Sequence, residues 1–276
     1  MVRFSATVTV QYDTPFSPFC AAEFDKSLTW LKESGLDAAE ICICHYRNIN
    51  PEGIKKTLQS HGLACSTIST GQARVTEKMA LVDSVYSDTH AAQKRLFEHI
   101  EAARILGSCV TIGLLRGCGY DGDKQDQLKS LGDTLRPVVE KARKEKVTLL
   151  LEPLNRYETN LLNSAEDTAK FIDNMQAGDC MSVLWDTFHA NIEDADLLQT
   201  IDMLGSKLTH VHIADSNRHF PGYGHIDFDA LFERLIEKEF SGYISFECLN
   251  KPSKETVLDH VGEFIKKYRF FASTPN

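Results

Sequence analysis

The 276-residue sequence has no cysteine pair in CxxC spacing, no excess of positive charge and no apolar run long enough for a membrane span. Each absence excludes something. Eight cysteines, at 20, 42, 44, 65, 109, 118, 180 and 248, lie scattered and often inside apolar stretches. They therefore read as buried reduced thiols, not as a zinc knuckle or a disulfide framework. A formal net charge of −9 argues against nucleic acid and anionic membranes as partners. No window reaches the roughly 20 apolar residues that cross a bilayer. The opening MVRFSATVTVQYD carries no apolar signal core, so a cytoplasmic location is expected. No linker or shift in composition divides the chain, and residues 1–276 are expected to form one domain.

What is present is alternation. With 42% hydrophobic and 25% charged residues, the chain is ordinary for a soluble globular protein. Strand patterns fall at Ala6–Tyr12, Ala38–Cys44, Leu63–Ser69, Cys109–Leu115, Val147–Leu151, Met181–Asp186, Leu208–Ala214 and Tyr243–Cys248. Helical patterns separate and follow them, at Glu23–Ser34, Glu52–His61, Thr89–Leu106, Gln125–Glu145, Ser164–Met175, Ile192–Leu204, Phe228–Lys238 and Glu255–Tyr268. Pro137 should kink or break its helix. Thr70–Ser87 and Arg116–Asp123 read as irregular loops, the first long enough to cover a site. Eight βα units in this length predict an α/β fold, a single closed (β/α)8 or TIM barrel. An open doubly wound sheet would need a glycine fingerprint after the first strand, and Asp13–Phe19 has none.

In such a barrel, chemistry sits where the strands run out. The last four ends read LLLEPLNR, VLWDTFHAN, HVHIADSNR and ISFECLN, and each carries a metal-ligand type: Glu152, Asp186, His212 and Glu247. The intervals of 34, 26 and 35 residues are each close to one βα unit, so the four should meet at one mouth. Three carboxylates converging in a low-dielectric mouth need a compensating cation. Three oxygen donors and one imidazole suit Mn²⁺, Mg²⁺ or Co²⁺, with zinc less suited.

The segments EPLNRYETN (152–160), WDTFHANIED (185–194), HIADSNRHFPGYGHIDF (212–228) and SFEC (245–248) resemble the sugar phosphate isomerase/epimerase superfamily, the xylose-isomerase-like barrels. Within it they are most similar to the D-tagatose and D-psicose (ketose) 3-epimerases. The resemblance lies in the motifs of the second half; in the first half it extends to fold pattern only. It implies a divalent metal, commonly Mn²⁺, held by Glu152, Asp186, His212 and Glu247. It also implies that Glu152 and Glu247 act as an acid/base pair in 3-epimerisation through a metal-bound cis-enediolate. His189 and Arg218 would contact the oxygens around the reacting carbons, and Glu158 the far end of the sugar. A small-molecule sugar substrate and a homodimer or homotetramer follow from the same resemblance.

The same cluster would equally serve a 1,2-isomerase of a sugar or sugar phosphate, such as hydroxypyruvate isomerase, or an epimerase of a keto-glycoside. An endonuclease IV-like phosphodiesterase shares the barrel but needs more histidines and a basic face. A non-catalytic sugar-binding barrel would not need both glutamates. Outside the cluster, His210 reads as a core histidine, and His219 and His225 as loop or pocket-wall residues. Tyr157 and Trp185 read as packing residues. His189 would otherwise cap the helix near Ile192. Arg116 reads as a solvated loop arginine, with a substrate phosphate or carboxylate as its alternative partner.

Overall fold

Eight parallel strands close into a barrel in chain order: β1 (Arg3–Thr9), β2 (Ala38–Cys42), β3 (Ala64–Ser69), β4 (Cys109–Ile112), β5 (Leu149–Leu151), β6 (Met181–Asp186), β7 (Leu208–Ile213) and β8 (Tyr243–Phe246). The computed structural model describes residues 2–86 and 88–271. β1 pairs with β2 on one side and β8 on the other, so the sheet has no edge left to protect. The helices are α1 (Phe24–Glu33), α2 (Pro51–Ser60), α3 (Gly71–Glu77), α4 (Thr89–Leu106), α5 (Lys124–Glu145), α6 (Ala165–Asn174), α7 (Thr187–Glu193), α8 (Leu197–Leu204), α9 (Phe228–Glu237) and α10 (Lys254–Phe271). The expected (β/α)8 fold is the observed one. No helix among the described residues is long and apolar enough to cross a membrane.

Period-two alternation decides which side chains meet the helices and which fill the barrel. In β1, Phe4 stacks on Phe232 of α9 with ring centroids 6.1 Å apart. Ser5, Thr7 and Thr9 alternate with it and are buried. The inward residues of a TIM barrel are usually bulky and branched. Here the buried set includes Glu40, Thr67, Thr111, His210, His212 and Ser245. That polarity is the first structural sign of a site inside the barrel.

Several boundaries differ from the sequence reading, each for a local reason. β1 spans Arg3–Thr9, three residues ahead of the alternating stretch Ala6–Tyr12. The pattern outlasts the ladder because Gln11 turns away to accept from the backbone N–H groups of Cys44 and His45, at 2.8 and 3.1 Å. The stretch read as one helix, Ile192–Leu204, is two: Asp196 accepts from the N–H groups of Leu198 and Gln199, both at 2.9 Å, and starts α8 afresh. α5 runs through Pro137 without a break. The carbonyl that Pro137 leaves without a partner belongs to Asp133, which is exposed to water. Thr70–Ser87 is not wholly irregular, since α3 occupies its first part; Ser87 itself lies outside the described residues. α3 was hidden because GQARVTE has no apolar stripe; an ion pair from Arg74 to Asp83 at 2.8 Å anchors it from outside.

Candidate metal centre and its pocket

The four strand-end residues meet at one rim. Asp186 is the last residue of β6, His212 lies near the end of β7, and Glu152 and Glu247 immediately follow β5 and β8. One ligand-type atom from each lies within 4.8 Å of all the others. His212 Nδ1 stands 3.5 Å from Glu152 Oε1, 3.8 Å from Asp186 Oδ2 and 3.4 Å from Glu247 Oε2. Three of these atoms, Glu152 Oε1, Asp186 Oδ2 and His212 Nδ1, are buried without any hydrogen-bond partner. Buried polar atoms are normally paired. Three orphaned ligand atoms facing a common point, two carboxylate oxygens and an imidazole nitrogen, with the Glu247 carboxylate beside them, fit a divalent cation in both geometry and charge. Gly113, at the end of β4, makes the cluster sterically feasible, because a Cβ there would collide with Glu152 Oε2.

The electrostatics of the cluster push its two glutamates apart. Burial raises the Glu152 carboxyl, with nearby His212 pulling it back. Burial works the same way on Glu247, but the charges of His212 and Arg218 outweigh it and hold that carboxyl below its usual range. Asp186 is pushed by burial up to about 7, against the pull of Arg218. His212 stays well above the usual imidazole value in spite of burial, because Glu40 and Glu247 favour its charged form.

A cavity of about 340 Å³ opens beside the cluster and is lined by Glu152, His212 and Glu247, and also by Glu158, His189 and Arg218. Its other wall comes from the first half of the chain: Tyr12–Phe16, Ser69, and Gly71, Gln72, Val75 and Thr76 around α3. The long loop expected to cover a site thus contributes a wall of it. Arg218 donates to Glu158 at 3.0 Å and to Glu247 at 3.3 Å. Its guanidinium lies between two rings, 4.5 Å from the Phe16 centroid and 4.8 Å from that of Phe188. Its backbone is left-handed, φ 62°, a conformation that disfavours any residue with a Cβ. The loop enforces it: Arg218 N–H donates to the Asp215 carbonyl at 2.7 Å, and Leu249 N–H to the Arg218 carbonyl at 2.8 Å.

His189 is buried within α7, and the cap of that helix is Asp186, which accepts from Phe188 N–H at 2.7 Å. The capping role considered for His189 is therefore excluded. Asn155 Nδ2 lies 2.7 Å from His189 Nδ1, and Asn155 N–H donates to the same atom at 3.3 Å. With Nδ1 accepting, the neutral ring carries its proton on Nε2. Nε2 is buried and unpartnered. Burial, then the charges of Arg218 and His212, hold the imidazole well below its usual value. A neutral Nε2–H donor at the pocket wall is the result.

Two expectations fail. Arg116 is neither solvated nor a substrate contact: it is fully buried, donating to the backbone carbonyls of Glu152 and, at 3.4 Å, Leu162. The turn after β4 folds it under the loop that follows β5, where its guanidinium meets these two carbonyls. Tyr157 does not pack, being 82% exposed, because the Asn155 side chain holds its N–H in a turn that faces outward. Trp185 does pack, fully buried, with Nε1–H on Asp194 at 2.8 Å. His210 is buried below the cluster, while His219 and His225 are loop residues that do not line the cavity. Glu40 escaped the sequence reading. It is completely buried in β2, and its Oε2 lies 2.9 Å from His212 Nε2. The signal was a lone acid in the apolar run AAEIC.

Residues 28–268 match the xylose isomerase-like TIM barrel family. The chain is 31% identical over 236 residues to an L-ribulose 3-epimerase of Mesorhizobium japonicum, covering 83% of this chain and 76% of that protein. It is 36% identical over 127 residues to the 3-dehydro-D-guloside 4-epimerase of Escherichia coli, covering 46% of this chain and 47% of that one. Among solved structures, an L-ribulose 3-epimerase superposes with a TM-score of 0.83 at 26% identity, covering 99% of this chain and 96% of that one. These relatives are epimerases, which are isomerases acting on carbohydrates.

Proposed function

The chain belongs to the xylose isomerase-like TIM-barrel family, and on that footing we propose that it is a divalent-metal-dependent 3-epimerase of a free ketose. One observation carries the reading. Three buried, unpartnered ligand atoms and a third carboxylate, that of Glu247, converge beside a cavity of sugar size, with glutamates at the ends of two of the four strands involved. Glu152, Asp186, His212 and Glu247 would hold the ion, which when bound supplies Lewis-acid polarisation of the ketone. The oxygen-rich donor set suits Mn²⁺ first, with Co²⁺ or Mg²⁺ as alternatives.

Inverting C3 requires removal of its proton on one face of the sugar and return of a proton on the other. Glu247, ion-paired to the Arg218 guanidinium at 3.3 Å, is suited to take the proton. Glu152, whose carboxyl burial raises, is suited to give one back; for the opposite epimer the roles exchange. The neutral Nε2–H of His189 and the guanidinium of Arg218 would stabilise negative charge as it develops on the substrate oxygens. Glu158, already oriented by Arg218 and Asn155, would accept from a hydroxyl at the far end of the sugar.

Charge favours an unphosphorylated substrate. Arg218 is the only arginine or lysine lining the cavity among the described residues, and two carboxylates already share it. Arg116, the other candidate phosphate contact in the sequence, is committed to backbone carbonyls. A keto-glycoside is the second reading. It is favoured by the identity to the E. coli 4-epimerase and by Val75, 61% exposed on the α3 wall, which leaves that side open. A panel of ketoses, sugar phosphates and keto-glycosides, incubated with Mn²⁺ in D₂O and read by NMR, separates these cases. Deuterium should enter at C3 of a free ketose; entry at C4 of a glycoside selects the second reading. No exchange with any compound would falsify both.

A further inference from the structure

Glu40 lies on β2, a strand that contributes nothing to the four-residue cluster, yet it is fully buried beside it. An isolated carboxylate in such a place costs several kcal/mol, so its partners explain its presence. Oε1 accepts from Ser69 Oγ of β3. Oε2 lies 2.9 Å from Nε2 of His212 and 3.3 Å from Nε2 of His210. The two imidazoles stand nearly perpendicular, 80° apart, with ring centroids 5.3 Å from each other. One oxygen therefore faces both histidines of β7, while the other is held by a hydroxyl.

The consequence falls on the opposite edge of the His212 ring. An ionised carboxylate only accepts, so Nε2 must carry a proton to bond it. Nδ1 is the nitrogen that stands 3.4 to 3.8 Å from the carboxylates of Glu247, Glu152 and Asp186. A metal ligand must offer a lone pair, and an imidazole protonated at Nε2 offers it at Nδ1. Ring rotation alone would allow either nitrogen to face the cluster. Ser69 fixes the carboxylate, the carboxylate fixes the ring, and His210 closes the lower side. Glu40, His210 and His212 also form a cluster of metal-ligand type. A second ion is not needed to explain it, since the 2.9 Å contact is an ordinary charge-assisted hydrogen bond.

We propose that Glu40 is a positioning residue for the metal centre: it selects the tautomer of His212 and aims Nδ1 at the ion. The inference rests on the metal-centre reading above. A buried glutamate that only stabilised the barrel would affect melting and leave metal affinity alone, so the two roles separate experimentally.

Metal-stripped full-length protein is titrated with Mn²⁺ alone, free ion being read by electron paramagnetic resonance, for wild type, Glu40→Gln and Glu40→Ala. Glu40→Ala should weaken Mn²⁺ binding by about 10- to 100-fold, and Glu40→Gln, which keeps an acceptor, by less. The bound Mn²⁺ line shape should change in both. In Mg²⁺-loaded wild type, ¹⁵N shifts of His212 should report protonation at Nε2. Should Glu40→Ala not fold, Glu40→Gln and Ser69→Ala carry the test, each expected to weaken binding measurably. Mn²⁺ affinity within twofold of wild type in the folded variants, or a His212 protonated at Nδ1, overturns the proposal. A stripped wild type that takes up no Mn²⁺ overturns the metal reading itself, and the role of Glu40 with it.

Discussion

Arg218 reaches Glu247 through Nη2 at 3.3 Å while the same guanidinium lies between the rings of Phe16 and Phe188. The pairing ties a loop after β7 to the acid after β8, and Phe16 brings in the loop after β1. The arginine is thus held as a plane at one angle. A lysine would keep the charge but neither spans two carboxylates nor stacks as a plane. Arg218→Lys should lower kcat by about 10²-fold with a smaller change in KM. An unchanged kcat would return this residue to a structural role.

The two glutamates should be indispensable to proton transfer. Glu152→Gln and Glu247→Gln are each expected to lower kcat by about 10³-fold or more, with circular dichroism unchanged. Solvent deuterium incorporation should fall in parallel. Retention of a tenth of wild-type turnover in either variant would remove it from the acid/base pair.

Chelation should silence the enzyme reversibly. Protein dialysed against EDTA is expected to lose activity, and Mn²⁺ or Co²⁺ to restore it. Its melting temperature should rise on reloading, since an ion bound only by the folded state stabilises it. Full turnover in a sample shown by elemental analysis to be metal-free would end the mechanism proposed above.

Arg116 makes a prediction about stability alone. Its guanidinium bonds two backbone carbonyls in the interior. Arg116→Ala removes both bonds and leaves a void, for an expected loss of about 3 kcal/mol. Urea unfolding measures it. A loss under about 0.5 kcal/mol is what a solvated surface arginine would give.

His99 of α4 provides a pH test away from the site. It is fully buried, with Nδ1 2.8 Å from Tyr46 Oη, and burial, then the Arg95 charge, lowers its pKa to about 3. An unfolded histidine titrates near 6.5. Between those values the unfolded chain binds the extra proton, so stability rises with pH there. The contribution is complete above pH ~6.5 and is lost as pH falls, by at most about 1.4 kcal/mol per unit. His99→Gln should therefore narrow the gap between urea midpoints at pH 5 and pH 7.5. An equal gap in variant and wild type would show that another group governs the acid limb.

The barrel and its four convergent residues were readable from the chain because both are local facts repeated in register. Alternation of period two marks a strand, and spacings of about one βα unit place Glu152, Asp186, His212 and Glu247 on successive strands. The boundaries that slipped did so where a side chain replaced a ladder bond, as Gln11 does beyond β1, or started a new helix, as Asp196 does. α3 was not legible because an ion pair anchors it, and its own sequence has no apolar stripe.

The amino-acid sequence by itself determined the eightfold alternation, the acidic charge and the donor types at the last four strand ends. Only the tertiary structure decided that Arg116 is interior, that Tyr157 is exposed and that Glu40 touches His212. The physical reason is separation: Glu40 and His212 lie 172 residues apart, on strands that do not pair, and their side chains meet only because the sheet closes on itself. Spacing and periodicity report neighbours along one strand or one helix, and a contact made across the inside of a cylinder leaves no trace in either.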